Sequence, residues 1–225
     1  MAYCRSDFVE IHIPFYDPVA DGPTIMKANH RSLDAGTRVE ECFQLMKKFT
    51  GKKLDGKFST PKCLFMTYFN ILHHYGVGKF CRRAAGCGCY GLIVPDMPVD
   101  EEEQEGYLKN CRKYGLKPIQ IISPLTPDRR LKMIAKVAEG FVYCVSRFGT
   151  TGQEGGINPK LSSYLRKVKK YIDLPLAVGF GISNKAEVDA VWKEADIAVI
   201  GSKIVRLVKN GGMVALEKFL KDLRG

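Results

Sequence analysis

Asp7-Phe8-Val9-Glu10-Ile11-His12-Ile13-Pro14-Phe15-Tyr16-Asp17-Pro18-Val19-Ala20-Asp21-Gly22-Pro23 contains one complete structural change of phase. Residues 7–13 are rich in β-branched and apolar side chains and read as a strand. A proline-bracketed acidic loop follows, and a helical pattern begins at Thr24. The rhythm repeats downstream. Strands are expected at 63–69, 91–95, 118–122, 141–146, 176–179 and 197–201. Helices are expected at 24–34 with 38–49, then at 78–85, 100–114, 127–138, 160–172, 185–194 and 203–223. Asp100 supplies an acidic helix start, and Gly115 and Gly140 sit where helices commonly end in a left-handed glycine. The polar loop at 50–61 reads as a surface excursion, because the alternation continues through it.

Strand–helix–strand repetition requires a parallel sheet with helices packed outside it. The fold class is therefore α/β, and seven units are countable in 225 residues. A closed (β/α)₈ TIM barrel takes about 250 residues, roughly 30 per unit. The expectation is a single TIM-barrel domain over 1–225 with seven of eight units, lacking the first strand and helix. An open doubly wound sheet is disfavoured, since no G-x-G-x-x-G follows the first strand.

Composition removes several functional classes. Apolar residues make up 45% and charged residues 26%, which excludes wholesale disorder. No apolar run reaches the ~20 residues of a membrane helix, and the N-terminus shows no secretory h-region. A cytoplasmic location is expected. The eight cysteines are mostly scattered singly, with one Cys87-x-Cys89 pair, no C-x-x-C and no histidine at zinc spacing. They read as reduced thiols. The net charge of +11 favours a phosphorylated substrate or an acidic partner. Its densest run, 166–170, reads as a solvated helix face, because Leu161, Leu165, Val168 and Ile172 fall at helical spacing. No specific nucleic-acid binding is expected.

In such barrels the reactive groups lie at the C-terminal ends of strands. Alternation turns Glu10 and His12 to one face and Val9, Ile11 and Ile13 to the other. The apolar set should meet the helices, which turns Glu10 and His12 inward. An inward carboxylate is costly unless paired or used, so Glu10 is either an ion-paired structural group or a reactive one. Asp17 precedes proline and can bond its own turn. Asp21 reads equally as a helix cap or as a reactive carboxylate. Glycines gather at three later strand ends: Gly149 and Gly152, then Gly179 and Gly181, then Gly201 beside Ser202. Glycine lets backbone N–H groups approach a phosphate, and a helix start adds its positive dipole end.

Taken in order, these stretches resemble the α-subunit family of tryptophan synthase. The resemblance rests on residues 10–23, Met66-Thr67-Tyr68-Phe69-Asn70, Pro95-Asp96-Met97-Pro98, and residues 140–143 with Gly149-Thr150-Thr151-Gly152. It continues through Val178-Gly179-Phe180-Gly181-Ile182-Ser183 and Gly201-Ser202. It implies a lyase of tryptophan biosynthesis that cleaves indole-3-glycerol phosphate to indole and glyceraldehyde 3-phosphate, without metal or cofactor in this subunit. Glu10 is then the acid/base, and Asp21 stabilises charge at the ring nitrogen. Tyr143 borders the catalytic carboxylate, and Thr151 orders Asp21 on loop closure. Gly152, Gly181, Gly201 and Ser202 hold the phosphate, while Met66 and Ile93 face the indole or are ordinary barrel core. The resemblance also implies an α₂β₂ complex with a β subunit, which alone holds pyridoxal phosphate. Loops around Asp17, Asn70 and Asp96 form the docking surface, and Ile71 stands where the family often has proline.

His12 occupies a family glycine position and is expected either to narrow the pocket or to pair with the carboxylate. Two other readings compete: an impaired α-like subunit that only activates its β partner, and a different phosphate-binding barrel enzyme. With no eighth unit, the strands at 7–13 and 197–201 would have free edges, leading to weak activity and self-association.

Overall fold

The computed structural model describes residues 6–51, 60–145, 159–179 and 181–223. Among the described residues, seven parallel strands are ordered β1-β2-β3-β4-β5-β6-β7, so every strand pairs with its neighbours in sequence. This is the (β/α) barrel class with seven units. Among the described residues, β1 pairs with β2 alone and β7 with β6 alone. The chain divides into two compact units, 1–119 and 120–225, and β4 belongs to both.

The first unit holds β1 (Phe8–His12), α1 (Pro23–Asp34), α2 (Val39–Thr50), β2 (Lys62–Met66), α3 (Phe69–Tyr75) and α4 (Val77–Gly86). After β3 (Gly91–Ile93) come a 3₁₀ turn (Val99–Glu101), α5 (Glu102–Glu105), α6 (Tyr107–Lys113) and the start of β4 (Lys117–Ile122). α2 shows why these segments are helical. Cys42, Phe43 and Met46 are buried on one stripe. Glu40 and Glu41 occupy the first turn and Lys47 and Lys48 the last, matching the helix dipole. The backbone N–H of Arg38 donates to Glu41 Oε2 at 2.9 Å. The Phe43 ring meets Phe65 of β2 edge-on at 5.5 Å and Phe80 of α4 at 5.1 Å, and all three are fully buried. This aromatic cluster fastens two helices to the outer face of the sheet.

The second unit continues with α7 (Asp128–Val137), β5 (Val142–Val145), α8 (Pro159–Lys169), β6 (Leu176–Gly179), α9 (Lys185–Trp192), β7 (Ile197–Ala198) and α10 (Ser202–Asp222). Leu161, Leu165, Val168 and Ile172 are buried, as the amphipathic reading of the basic run requires. Asn184 caps α9 by accepting from the Glu187 N–H at 2.9 Å. Seven cysteines, Cys42, Cys63, Cys81, Cys87, Cys89, Cys111 and Cys144, are buried free thiols. Burial pushes Cys89 and Cys144 up to about 12, which keeps them protonated and inert. Among the described residues, no helix is long and apolar enough to cross a membrane.

Three elements differ from the sequence pattern. The strand expected at 63–69 stops at Met66, because Phe69 opens a short helix whose first N–H donates to Asp96 Oδ1 at 2.8 Å. The helix expected at 100–114 is broken by Gly106, held at φ +62°. The strand expected at 197–201 ends at Ala198.

Close strand approach makes a testable demand on Gly91. A Cβ there would stand 2.4 Å from the Lys117 backbone oxygen, which cannot move without breaking β3–β4 pairing. Gly91→Ala should destabilise the chain by about 1–3 kcal/mol, as overpacking does. Gly86 ends α4 with open space around its Cα, so Gly86→Ala should be neutral or stabilise by at most about 1 kcal/mol. Urea unfolding of the two variants distinguishes these outcomes.

Candidate active site

Parallel register assembles the inward face of the first unit. Glu10 pairs with Leu64, Leu64 with Gly91 and Gly91 with Lys117. One step nearer the strand ends, His12 pairs with Met66, Met66 with Ile93 and Ile93 with Ile119. Paired residues of a parallel sheet share a face, so Glu10 and His12 stand in adjacent rows on the same side. Val9 and Ile13, on the other side, are buried. Met66 and Ile93 are buried beside His12, a position that suits both a ring contact and plain core.

The loop after β1 folds onto the end of β2. Val19 N–H donates to Asp17 O and Asp21 N–H to Pro18 O, each at 2.9 Å. The Tyr68 hydroxyl then ties the loop down twice. It donates to Asp21 Oδ2 at 2.9 Å and accepts from the Ala20 N–H at 3.0 Å. Tyr68 is fully buried and stacks on Phe15 at 5.3 Å. The N-cap of α1 is Gly22, without a side-chain capping bond. Of the two roles open to Asp21 in the sequence, capping is therefore excluded. Its carboxylate faces Tyr68 and His12, whose Nε2 lies 3.6 Å from Asp21 Oδ2. Of the two carboxylates, Asp21 rather than Glu10 is the one within ion-pair reach of a protonated His12. Asn29, buried on α1, places its Nδ2 3.4 Å from His12 Nε2.

Electrostatics separates these groups. Glu10 is open to solvent on one side, but the protein packed round its carboxyl and the negative charge of Asp21 lift its pKa from 4.5 to about 7. Burial lowers the His12 pKa below the usual histidine value, opposed by the pull of Asp21. Burial and the Asp21 carboxylate hold the Tyr68 phenol far above its ordinary range, so it remains a donor.

In the second unit, Tyr143 lies on β5 between Ile121 and Ala177. A Cβ on Gly179 would come within 2.7 Å of the Tyr143 hydroxyl, so the glycine is what admits the ring against the end of β6. Gly181 has φ +70° just beyond β6, and Gly201 is the N-cap of α10, which begins at Ser202. β6 and β7 are paired, so both loops leave the same end of adjacent strands. Thr151 and Gly152 lie outside the described residues, as does Gly149.

Tyr68 and Asn29 were not singled out as site residues from the sequence. Asn29 carried a signal: it interrupts the apolar spacing Ile25, Asn29, Leu33 on α1 with a buried amide. A cavity of about 530 Å³ at the opposite strand ends, bordered by Lys47, Lys62 and Tyr90, includes none of the expected site residues.

A carboxyl of raised pKa, Glu10, at the C-terminal end of a strand in a (β/α) barrel is the arrangement found in barrel enzymes. A family profile described as tryptophan synthase alpha chain matches residues 1–222. The chain is 42% identical over 218 residues to the tryptophan synthase alpha chain of Syntrophotalea carbinolica, covering 97% of this chain and 83% of that one. It is 41% identical over 220 residues to that of Methanocaldococcus jannaschii, covering 96% and 76%. A crystal structure of the tryptophan synthase complex from Pyrococcus furiosus superposes with a TM-score of 0.86 at 32% identity, covering 98% of this chain and 87% of that one. The chain belongs to the tryptophan synthase alpha chain family, a family of lyases in tryptophan biosynthesis.

The raised Glu10 pKa predicts a pH-dependent stability. Between about pH 4.5 and 7 the folded chain holds a proton that the unfolded carboxyl has released. Stability from this group is therefore complete below about 4.5 and is lost as pH rises through about 7. Glu10→Gln should remove that decline, so the variant gains on the parent in urea midpoint between pH 5 and pH 8.

Proposed function

We propose that this chain cleaves indole-3-glycerol phosphate to indole and glyceraldehyde 3-phosphate by a retro-aldol reaction. The observation that carries the reading is the pairing of Glu10, with its pKa near 7, with a separately anchored Asp21 on the same inward face. Such a reaction needs one group to act first as acid and then as base. Protonated Glu10 gives its proton to C3 of the indole, leaving positive charge on the ring. Asp21 stabilises that charge by accepting a hydrogen bond from the ring N–H. The Glu10 carboxylate then takes the proton of the glycerol hydroxyl. The carbon–carbon bond breaks, its electron pair restores the indole, and the aldehyde forms. Glu10 ends protonated, as it began. A group titrating near 7 serves both steps at neutral pH, and no metal or cofactor enters the scheme.

The phosphate is assigned to the second unit. Gly181, Gly201 and Ser202 offer backbone N–H groups after β6 and β7, and α10 adds the positive end of its dipole. Gly152 is assigned there by resemblance. Tyr143 is assigned to the border of the catalytic carboxylate, Thr151 to the ordering of Asp21, and Met66 and Ile93 to the indole. Glu10→Gln, which cannot transfer the proton, should lower indole formation by ~10²–10⁴ while retaining binding of a phosphate-bearing product analogue. Near-parental turnover in a discontinuous indole assay would refute the assignment.

The proposed partner is a tryptophan synthase β subunit in an α₂β₂ assembly, with pyridoxal phosphate confined to that partner. Support comes from the loop that carries Asp21, where Tyr16 is 67% and Val19 74% exposed. Asp17 and Asp96 are also exposed, on the loops after β1 and β3, and so is Asn70 in the first turn of α3. An apolar surface rimmed by polar groups is the usual composition of a docking site. Val19→Asp should weaken capture of a β subunit at least tenfold by calorimetry, with little change in urea midpoint.

A further inference from the structure

His12 has no part in the scheme above, yet it is mostly enclosed and touches one of its two carboxylates. On the reading that Glu10 and Asp21 carry the cleavage, we propose that His12 is a positioning residue for Asp21, and that its protonation draws that carboxylate off the substrate. The geometry accommodates two states. Nε2 stands 3.4 Å from Asn29 Nδ2 and 3.6 Å from Asp21 Oδ2. In the first, the Asn29 amide N–H is directed at the Nε2 lone pair and the ring is neutral with its proton on Nδ1. In that state Nε2 has nothing to offer Asp21, and the carboxylate is held by Tyr68 at 2.9 Å, leaving other lone pairs for a ring N–H.

Protonation reverses this. Both ring nitrogens become donors, so Nε2 loses its bond from Asn29 and gains an anion within reach. A charge-assisted bond is made at about 2.7–2.9 Å. The carboxylate must therefore close most of an ångström toward β1, turning away from the position Tyr68 gives it. Displacements of that size cost about 10²-fold in a reaction that depends on alignment.

Among the described residues of the first unit, three groups approach His12 from neighbouring elements. Asp21 approaches from the loop, Tyr68 from the end of β2 with its ring centroid 6.4 Å away, and Asn29, uncharged, from α1. Glu10 lies two residues earlier on the same strand face and is largely neutral below about pH 7. Asp21 is thus the anion that a charged His12 meets. Burial and Asp21 act on the ring in opposite directions, so its charge depends on where that carboxylate stands.

The test combines a titration that does not depend on turnover with one that does. The chain has four histidines, His12, His30, His73 and His74, resolvable by ¹H–¹³C NMR of the Cε1 groups. Asp21→Asn should move the His12 midpoint to lower pH, while the other three stay and report an intact fold. Tyr68→Phe, which frees Asp21 toward the ring, should move it higher. A His12 midpoint indifferent to both variants overturns the coupling.

The second arm measures indole formation from indole-3-glycerol phosphate across pH 5–9, with kcat and KM separated, each profile scaled to its own plateau. The alkaline limb from Glu10, which must start each turnover protonated, is common to parent and His12→Gln, so their ratio isolates the histidine. One pH unit below the His12 midpoint, the scaled kcat of the parent should lie about tenfold under that of His12→Gln, since only about a tenth of the ring is then neutral. Parallel profiles overturn the positioning role. Absence of indole from the parent at every pH overturns the cleavage reading and the effect on catalysis with it, and the NMR midpoints still decide the coupling.

Discussion

Parallel strand pairing is the constraint from which both the fold and the site follow. Partners in a parallel ladder point to the same face, so one register decision, Glu10 opposite Leu64, orients every side chain of β1 and β2. Shifted by one residue, Glu10 and His12 would face the helices, and Val9 and Ile13 would lose their burial. The apolar face holds the alternative off. Val9 and Ile13 are buried on the helix side, where Phe65 of β2 meets Phe43 and Phe80. The aromatic cluster outside the sheet and the carboxylate inside it are two consequences of a single register.

The site adds a second tie. A loop bracketed by Pro14 and Pro23 has little freedom of its own, but proline does not specify where its carboxylate points. Tyr68 supplies that direction by binding Asp21 Oδ2 and the neighbouring Ala20 N–H through one buried hydroxyl. Removing such a hydroxyl would hand the exposed Ala20 N–H to water and leave Asp21 without its phenol donor, a loss of about 0.5–1.5 kcal/mol per bond. The same bond keeps Asp21 close enough to raise Glu10 and to compete with burial over His12. Two carboxylates thereby take different roles in one small volume. One titrates near neutral pH, and the other accepts bonds from donors around it.

Much of the barrel could be read from the chain because its signals are local. The alternation Val9, Ile11, Ile13 against Glu10, His12 places an inward carboxylate from periodicity alone, and the described structure keeps that placement. Basic residues 166–170 were identifiable as a helix face because Leu161, Leu165 and Val168 fall at spacings that only a helix brings together. Boundaries were less legible where a distant group decides them. Nothing near Phe69 indicates that the Asp96 carboxylate will accept its N–H and begin a helix there. Gly106 interrupts a pattern that otherwise reads as one helix, because its left-handed conformation breaks the periodic face.

By itself, the sequence determined the (β/α) class, the number and order of its seven units, the inward face of β1, and Glu10 and Asp21 as candidate chemistry. These depend on side-chain alternation, turn residues and motifs, which are properties of neighbouring positions. The tertiary structure decided what each reactive group meets. It gave Asp21 to Tyr68 rather than to the start of α1, and it set His12 against Asp21 and Asn29 instead of Glu10. Asp21 and Tyr68 lie 47 positions apart, and His12 and Asn29 lie 17 apart. No pattern within either segment encodes a distance between them. Packing brings those atoms within hydrogen-bond range, and only there do burial and charge give each group its protonation state.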